Sequence, residues 1–479
     1  MNPNPPENKI IPIIRQLIWV YFWLLLIEGA LRKWILPGLS NPLLIIRDPV
    51  LVVIYILAWK AHVFPRNGWV VSLAIIGFLT LFVSFVPLWD YLYPAGIAFV
   101  SGYGFRSNFL HLPLMFLMPL VLRPEDVKKI GWWTLLLIVP MSVLMIAQFQ
   151  ASPDAFVNRT AGGEGEMITA GMGKVRTAAT FSFVIGVVAY FSMATGYLVW
   201  AALNRNVYKN WLLFLSAGAL VIGVAVSGSR SVVGACAVVI ASLAVVLVLR
   251  RQAVNRLGQV LVITVVIGYL VTKTAIFKEG FTVLSTRFTE VAAASDQSIG
   301  AGLISRILEN FEEGFYAMIR APFLGWGLGI GTNAGAKYLT GHSTFLLSEG
   351  EWTRIFLESG PILGLAYIVW RCAVVVRIGW LCLVSVRANN ILPLLLFSAG
   401  FLPLINGQFG QPTILGFAVF TTGLALAARN ADEPIIKKPA RAKTDAPRAK
   451  RIVGRRSAYA DRLHRSAKRR DQSNGSADR

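Results

Sequence analysis

Apolar runs of roughly 15–25 residues, separated by short polar breaks, recur along most of this chain and match the hydrocarbon core of a bilayer. Only 15% of the residues are charged, whereas soluble domains carry about 25%. We therefore predict an all-α integral membrane protein into which twelve transmembrane helices fit. The predicted spans are residues 17–29 (with a possible start at Ile10), 49–64, 69–88, 109–122, 130–149, 181–201, 211–227, 231–249, 260–274, 355–376, 391–404 and 414–427.

Lys and Arg residues in the short loops indicate the orientation, because cytoplasmic loops carry an excess of these residues. In a twelve-span topology the basic loops, the C-terminal tail and the N-terminal segment with Lys9 and Arg15 all fall on one side. This side is predicted to be the cytoplasm, so both termini are cytoplasmic. The basic loop residues are Lys60, Arg66, Arg123, Lys128, Lys129, Arg205, Lys209, Arg250, Arg251, Arg256, Arg377 and Arg387.

The opposite side carries a large loop, residues 275–354, and a loop of this length within a membrane domain is usually functional. Apolar residues recur at helical spacing between Ile304 and Ile319, which predicts an amphipathic helix near the membrane surface that ends before Pro322. The glycine run that follows, Gly325 to Gly331, is interpreted as a turn that lets backbone approach a ligand or another loop closely.

The basic tail, residues 429–479, supplies +10 of the net charge of +22 and contains few large apolar residues. We predict that it is disordered and that it follows one transmembrane domain, residues 1–428. Beside a membrane domain, such a tail favours anionic lipid over nucleic acid as its partner. The cysteines Cys236, Cys372 and Cys382 lie in or beside apolar runs, so no disulfide framework is implied.

Arginines are unexpectedly frequent on the predicted outward side. Guanidinium groups form two parallel hydrogen bonds to phosphate oxygens, so a cluster of them suits a phosphate or pyrophosphate headgroup. The alternative is that each arginine reaches the interface or pairs with a nearby acid. These residues are Arg32, Arg47, Arg106, Arg159, Arg176, Arg230, Arg287, Arg306, Arg320 and Arg354.

The densest polar segment of the large loop contains His342, Glu349, Glu351, Arg354 and Glu358. The last three are spaced by three and four residues and can share one helix face. One interpretation is a salt-bridged helix start. The other is that Glu349, Glu351 or His342 is a general base for an acceptor hydroxyl. Neither this segment nor the few aspartates has the spacing of a metal site, so no metal is predicted.

An ionisable residue also lies in the first predicted span. Glu28 is there, with Arg32 four residues later, and an ionisable group at membrane depth is a functional candidate by default. An internal ion pair between the two is the alternative.

Several short motifs resemble the O-antigen ligase and O-antigen polymerase superfamily of bacterial inner-membrane glycan transferases. The resemblance covers most of residues 10–428 in layout. The matching segments are Arg176-Thr-Ala-Ala-Thr-Phe-Ser182, Ser229-Arg230, Ala321-Pro-Phe-Leu-Gly-Trp-Gly-Leu-Gly329 and Glu358-Ser-Gly-Pro-Ile-Leu-Gly364, and Glu28-Gly-Ala-Leu-Arg-Lys-Trp34 is similar to unassigned members.

The resemblance implies a metal-independent, GT-C-like transferase of about twelve helices with a large periplasmic loop, in the bacterial inner membrane. Members move a glycan from an undecaprenyl-pyrophosphate carrier to an acceptor glycan or lipid, without a cofactor. By motif match, Arg176 and Arg230 are expected to bind the pyrophosphate, and Arg306, in the loop helix before the glycine run, is matched to the same role. Arg354, another outward arginine, joins them as a candidate.

One departure concerns the acceptor side. Where ligases carry a loop histidine, counting back from Gly360 gives Glu349, with Glu351 nearby and His342 further upstream. This favours a polymerase or a divergent exopolysaccharide transferase over a ligase, with Glu349, Glu351, Glu358 and His342 as candidate catalytic residues.

Two other classes of function are open. A lipid-linked glycan flippase or other transporter would also use arginines and many spans, although transporters often show internal repeats, and none is visible here. The second of these classes is a catalytically inactive scaffold that recruits cytoplasmic partners through its basic tail.

Overall fold

The computed structural model describes residues 9–163, 167–204, 207–249, 272–295, 299–342 and 345–432, and these ranges are mostly helical. Their α-helices are α1 (Ile10–Ala30), α2 (Ser40–Leu43), α3 (Arg47–Lys60), α4 (Gly68–Leu88), α5 (Pro94–Phe105), α6 (Pro113–Val121), α7 (Pro124–Gln150), α8 (Val184–Leu203), α9 (Asn210–Val226), α10 (Arg230–Leu249), α11 (Ala275–Ser295), α12 (Ile299–Arg320), α13 (Asn333–Thr340), α14 (Glu351–Arg387), α15 (Leu392–Asn406) and α16 (Pro412–Ala428).

Shorter elements complete the described chain. Two strands, β1 (Thr169–Gly171) and β2 (Lys174–Val175), pair antiparallel. The 3-10 turns are Pro37–Leu39, Phe156–Asn158, Ala161–Gly163 and Arg429–Asp432, and π-helical turns occupy Leu31–Ile35 and Arg106–Leu110.

Seven helical stretches in the described ranges are long and apolar enough to cross a membrane, and three shorter ones are comparably apolar. The prediction of an all-α, multi-pass membrane protein is therefore confirmed, and α1 begins at Ile10. The count of twelve spans stays a prediction, because most of span 260–274 lies outside the described residues, as does the tail beyond Asp432. The seven are Ile10–Ile35, Pro37–Lys60, Gly68–Leu88, Pro124–Gln150, Val184–Leu203, Arg230–Leu249 and Glu351–Arg387.

Helix α16 lies at the centre of the bundle. It is apolar on every side, which is the pattern of a helix enclosed by others, and all of its residues except Thr413 are buried. Its glycines allow close approach. A Cβ on Gly423 would lie 2.3 Å from the sulfur of Met118 on α6, so the two helices are in direct contact there.

Two helices change to π-helical geometry at the points where buried cations occur. Helix α1 continues into the π turn with Arg32 and Lys33, and α5 continues into the π turn with Arg106. Such turns interrupt the regular hydrogen-bond ladder and are frequent at functional sites. The short predicted span 109–122 corresponds to the end of this second π turn and to α6, and helical structure extends back from it to Pro94.

Helix α14 reverses direction at Gly360. In a straight helix Glu351 and Arg371 would lie about 30 Å apart, yet their side chains are in contact at 2.7 Å. Gly360 has φ 74° and ψ 172°, which is outside the helical region. Gly364 packs against Phe356, since a Cβ there would lie 2.9 Å from that ring. Residues 351–359 thus fold back on the longer helix that follows, and the predicted continuous span from Ile355 was wrong.

The predicted large loop is mostly helical. The expected amphipathic helix is present as α12, which ends at Arg320 before Pro322. It packs on the first turn of α14, where the rings of Phe311 and Trp352 are 4.4 Å apart. The position of this segment outside the membrane stays a prediction.

Candidate functional site

The predicted carboxylate group and Arg354 form a buried cluster, which we call the ion-pair cluster (Asn108, Glu351, Arg354, Glu358, Arg371). Arg354 donates to Glu358 Oε2 at 2.7 Å and pairs with Glu351 Oε2 at 2.9 Å. It also donates to Asn108 Oδ1 at 2.8 Å, while Arg371 donates to Glu351 Oε1 at 2.7 Å. Two guanidinium groups therefore face two carboxylates, and the cluster is electrically balanced.

The glycine run, Gly325 to Gly331, also contacts the ion-pair cluster. The amides of Trp326 and Gly327 donate to the carbonyls of Leu357 and Glu358, which the turn at Gly360 releases from the helix. The amide of Gly331 donates to Glu358 Oε1 at 2.8 Å. The interpretation of this run as a turn that approaches another segment closely is confirmed, and both oxygens of Glu358 are occupied by protein groups.

A cavity borders the ion-pair cluster beside Glu349, Glu351 and Arg354, but its volume is only about 10 Å³. That is room for about one water molecule. The side chains of Glu349 and His342 are exposed. The geometry thus brings Glu351, Arg354 and Glu358 together, as the spacing predicted, and leaves Glu349 and His342 as the carboxylate and imidazole that an acceptor could reach. Their catalytic roles stay predictions.

A second buried polar group surrounds the end of α1, and we call it the cation-rich cluster (Arg32, Lys33, Arg47 and Arg106, with Glu28 and Asp48). Glu28 pairs with Arg47 at 3.1 Å and with Arg32 at 3.7 Å. The predicted pair between Glu28 and Arg32 is therefore present, but Arg47 is the nearer partner. Arg106 donates two hydrogen bonds to the carboxylate of Asp48, from Nε at 2.6 Å and from Nη2 at 3.1 Å.

A hydrogen-bonded chain extends this cluster into the bundle. The imidazole of His111 contacts Asp48 at 3.0 Å through Nε2 and the hydroxyl of Tyr21 at 2.9 Å through Nδ1. Arg47 reaches the same hydroxyl and donates to the carbonyl of Pro412, at the start of α16. Its guanidinium lies where a Cβ on Gly416 would otherwise sit.

The charges of the cation-rich cluster do not balance. Four cations share two carboxylates, and Lys33 Nζ has no carboxylate within ion-pair distance among the described residues. Arg32, Lys33, Arg47 and Arg106 are all buried. Buried charge is costly unless it is paired. An excess of buried cations therefore favours the approach of an anion, which the balanced ion-pair cluster does not.

The segment 176–182, which carries one of the motifs, is held by buried polar side chains. Ala179 has φ 49°. This backbone conformation is energetically unfavourable for any residue that has a side chain. Gln148 accepts from the amides of Ala178 and Ala179 at 3.2 and 2.8 Å. Lys33 donates to the carbonyl of Ala179 at 2.6 Å, and Arg32 donates to Ser182 at 3.0 Å. The turn is thus fixed against the end of α1.

Segment 176–182 also contacts the link between α9 and α10, which carries the Ser-Arg motif. Thr177 donates to the carbonyl of Val226 at 3.2 Å. A Cβ on Gly228 would lie 3.9 Å from Cγ of Arg176, and Arg230 follows two residues later, as the first residue of α10. The structure therefore places Arg176 and Arg230, both partly buried, on neighbouring segments. The side chain of Arg306, in α12, lies outside the described residues.

Sequence reasoning missed Lys33, Gln148, His111 and Tyr21 as parts of this region. The surplus of arginines on the predicted outward side already included Arg32, Arg47 and Arg106, so that surplus was the available signal. No spacing rule connects His111 or Gln148 to them, because their partners lie 63 and 31 residues away.

An apolar cavity of about 730 Å³ lies between α4, α12 and α14. Its lining includes Trp69, Phe315, Trp352, Phe356, Arg377 and Trp380. Its walls suit hydrocarbon rather than a sugar or phosphate.

We expect Gln148→Leu to lower the free energy of unfolding by about 1–3 kcal/mol, since it leaves buried amides of segment 176–182 without an acceptor. Gln150→Leu, two residues on at the exposed end of α7, is the matched control and should change little. Thermal unfolding in detergent measures both. Equal stability of the two variants would mean that Gln148 does not support the turn.

Comparisons of the chain with protein-family models, curated proteins and solved structures found no match.

Proposed function

We propose that this chain is a membrane-embedded glycan transferase of the polymerase or ligase type, which uses a glycan linked to undecaprenyl pyrophosphate. The observation that carries the proposal is the contact between segment 176–182 and the link before Arg230. The two motif arginines thereby lie on adjoining segments, beside the buried cations Arg32 and Lys33. Concentrated guanidinium charge is what a pyrophosphate requires.

The proposed reaction is a displacement at the anomeric carbon of the donor glycan. An acceptor hydroxyl forms the new C–O bond while the bond from the anomeric carbon to the pyrophosphate oxygen breaks. Arg176 and Arg230 stabilise the negative charge that develops on the departing lipid pyrophosphate. The hydroxyl proton passes to a base, for which Glu349 and His342 are the exposed candidates. Such a reaction needs no nucleotide sugar, because the carrier already activates the glycan.

Purified full-length protein in liposomes that contain the lipid-linked glycan tests this proposal. Growth of glycan chains on the carrier supports a polymerase, and transfer to a separate lipid or core acceptor supports a ligase. We expect Arg230→Ala to reduce product formation at least about 100-fold while the protein stays folded. Arg320→Ala, at the exposed end of α12, is the control and should retain wild-type turnover. Unchanged turnover in Arg230→Ala would refute the assigned role.

The second candidate is a lipid-linked glycan flippase, and one observation favours it. The described helices are interrupted at Leu31–Ile35, Arg106–Leu110 and Gly360, and discontinuous helices are frequent at transporter binding sites. The same liposomes separate the two candidates. Movement of the lipid-linked glycan across the bilayer without a new glycosidic bond would support the flippase and exclude the transferase.

A further inference from the structure

One nitrogen of the cation-rich cluster is left without a partner. Arg106 is 6% exposed, and its Nε and Nη2 are engaged by Asp48. Its Nη1 is fully buried and makes no hydrogen bond to the described residues. A buried donor on a charged group loses its hydration without compensation, which costs about 1–3 kcal/mol or more. Such a donor is well suited to an acceptor that is not part of the chain.

Arg32 offers a second nitrogen in the same region. Its described hydrogen bonds use Nε, toward Ser40, and Nη1, toward Ser182, and none uses Nη2. Its side chain is 11% exposed, so the cluster can be reached from outside at this point. A chain of contacts connects the two arginines. Arg32 and Arg47 both pair with Glu28, at 3.7 and 3.1 Å. Arg47 and His111 both contact the hydroxyl of Tyr21, and His111 and Arg106 both contact Asp48.

The surroundings are rigid and favour an anion. Ser40 and Ser182 fix the guanidinium of Arg32, and Asp48 fixes that of Arg106 in a two-point contact. The cluster has two more cations than carboxylates, so an anion with up to two negative charges would balance it. Guanidinium groups held in place in this way match the oxygens of a tetrahedral oxyanion.

We propose that Arg32 and Arg106 form an anion-binding site for a phosphate-class group, beside segment 176–182, which Arg32 contacts through Ser182. The oxyanion accepts from Nη1 of Arg106 and Nη2 of Arg32, and it neutralises the charge that Glu28 and Asp48 leave uncompensated. The group is either a free phosphate or pyrophosphate, or the phosphate of a lipid. This site is independent of the proposed transferase activity, because an anion can bind there without turnover.

The test compares lysine replacements, which all preserve the net charge. Arg106→Lys keeps a cation for Asp48 but removes the forked guanidinium, and Arg32→Lys does the same beside Ser182. Arg66→Lys is the control, since Arg66 is exposed and stacks on Trp59 at 4.7 Å. Arg176→Lys shows whether segment 176–182 binds the anion instead. Each full-length protein is purified in dodecyl maltoside micelles, which carry no phosphate, and its thermal unfolding is followed with added sodium phosphate or pyrophosphate against sodium chloride of equal ionic strength.

We expect phosphate or pyrophosphate to raise the Tm of the wild type and of Arg66→Lys in a saturable manner. Arg106→Lys and Arg32→Lys should need at least about tenfold more anion for the same shift, a loss of about 1.4 kcal/mol in binding. A parallel series with phosphatidic acid added to the micelles, and no free phosphate, identifies the source. If the Tm rises only with phosphatidic acid, and this rise is lost in Arg106→Lys and Arg32→Lys, the site binds a lipid phosphate.

Two results would overturn the site. One is the absence of any specific shift with either phosphate source, or shifts of equal size in the wild type and in Arg106→Lys and Arg32→Lys. The other is a shift lost in Arg176→Lys but kept in Arg106→Lys and Arg32→Lys, which would place the anion at the Arg176 segment. Because no turnover is measured, failure of the transferase proposal would leave these results unaffected.

Discussion

Replacement of Glu351 by alanine is expected to lower the free energy of unfolding by about 3–5 kcal/mol, the usual cost of removing one partner of a buried ion pair. Glu351 is 2% exposed and lies between Arg354 and Arg371. Without it, the guanidinium of Arg371 is left with backbone carbonyls alone, and Arg354 keeps Glu358 as its one carboxylate partner. Unfolding in mixed detergent micelles with increasing dodecyl sulfate measures the change.

Glu349→Ala provides the matched control for this experiment. Glu349 is only two residues away, but its side chain is exposed, so its removal should change the stability by no more than about 0.5 kcal/mol. Equal stability of the Glu351→Ala variant and the wild type would show that the ion pairs do not hold the α14 turn together. Turnover gives the complementary information. If Glu349 is the base, its replacement lowers transfer while the protein stays folded.

The sequence was sufficient to predict the membrane fold and part of the ion-pair cluster. Apolar runs and helical spacing are local patterns, so they located most of the helices and placed Glu351, Arg354 and Glu358 on one face. The spacing could not reveal that Arg371 completes the cluster. That contact depends on the turn at Gly360, and hydropathy carries no information about a reversal inside an apolar run.

The cation-rich cluster illustrates the same limit at longer range. Arg32, Arg47 and Arg106 were recognisable as arginines of the predicted outward side, and the spacing indicated the pair of Arg32 with Glu28. The carboxylate partners of Arg47 and Arg106 come from separate helices and have no distinctive spacing. Whether an arginine is neutralised can be decided only when the carboxylates are in place. Arg354 is fully paired in the structure, whereas Lys33 has no carboxylate partner among the described residues. From the sequence, however, Arg354 was a candidate for binding pyrophosphate and Lys33 was not.

The two motif segments near α14 have a structural explanation that does not depend on catalysis. Gly360 lies in the segment that resembles the family's Glu-x-Gly signature, and Gly325 lies in the glycine run. A Cβ on Gly325 would be 2.3 Å from the carbonyl oxygen of Glu358. The two segments therefore require glycine at both positions to approach each other. The turn thus needs these glycines independently of any contact with substrate.

Gly360→Ala should consequently be among the most destabilising single changes in the described chain. Its φ of 74° with ψ of 172° is a backbone conformation that is almost restricted to glycine, and a Cβ would lie 2.3 Å from the carbonyl oxygen of Phe323. Conformational strain and overpacking cost about 1–3 kcal/mol each, so we expect a loss of about 2–6 kcal/mol.

Gly341→Ala separates these two contributions. Gly341 also has a positive φ, 80°, but a Cβ there would meet nothing within 4 Å. Its replacement should therefore cost only about 1–2 kcal/mol, the price of a left-handed conformation for a residue with a side chain. Unfolding in mixed micelles measures both variants. If the two lose the same stability, the close contact between the glycine run and the turn of α14 contributes nothing, and the ion-pair cluster alone must maintain the reversal of that helix.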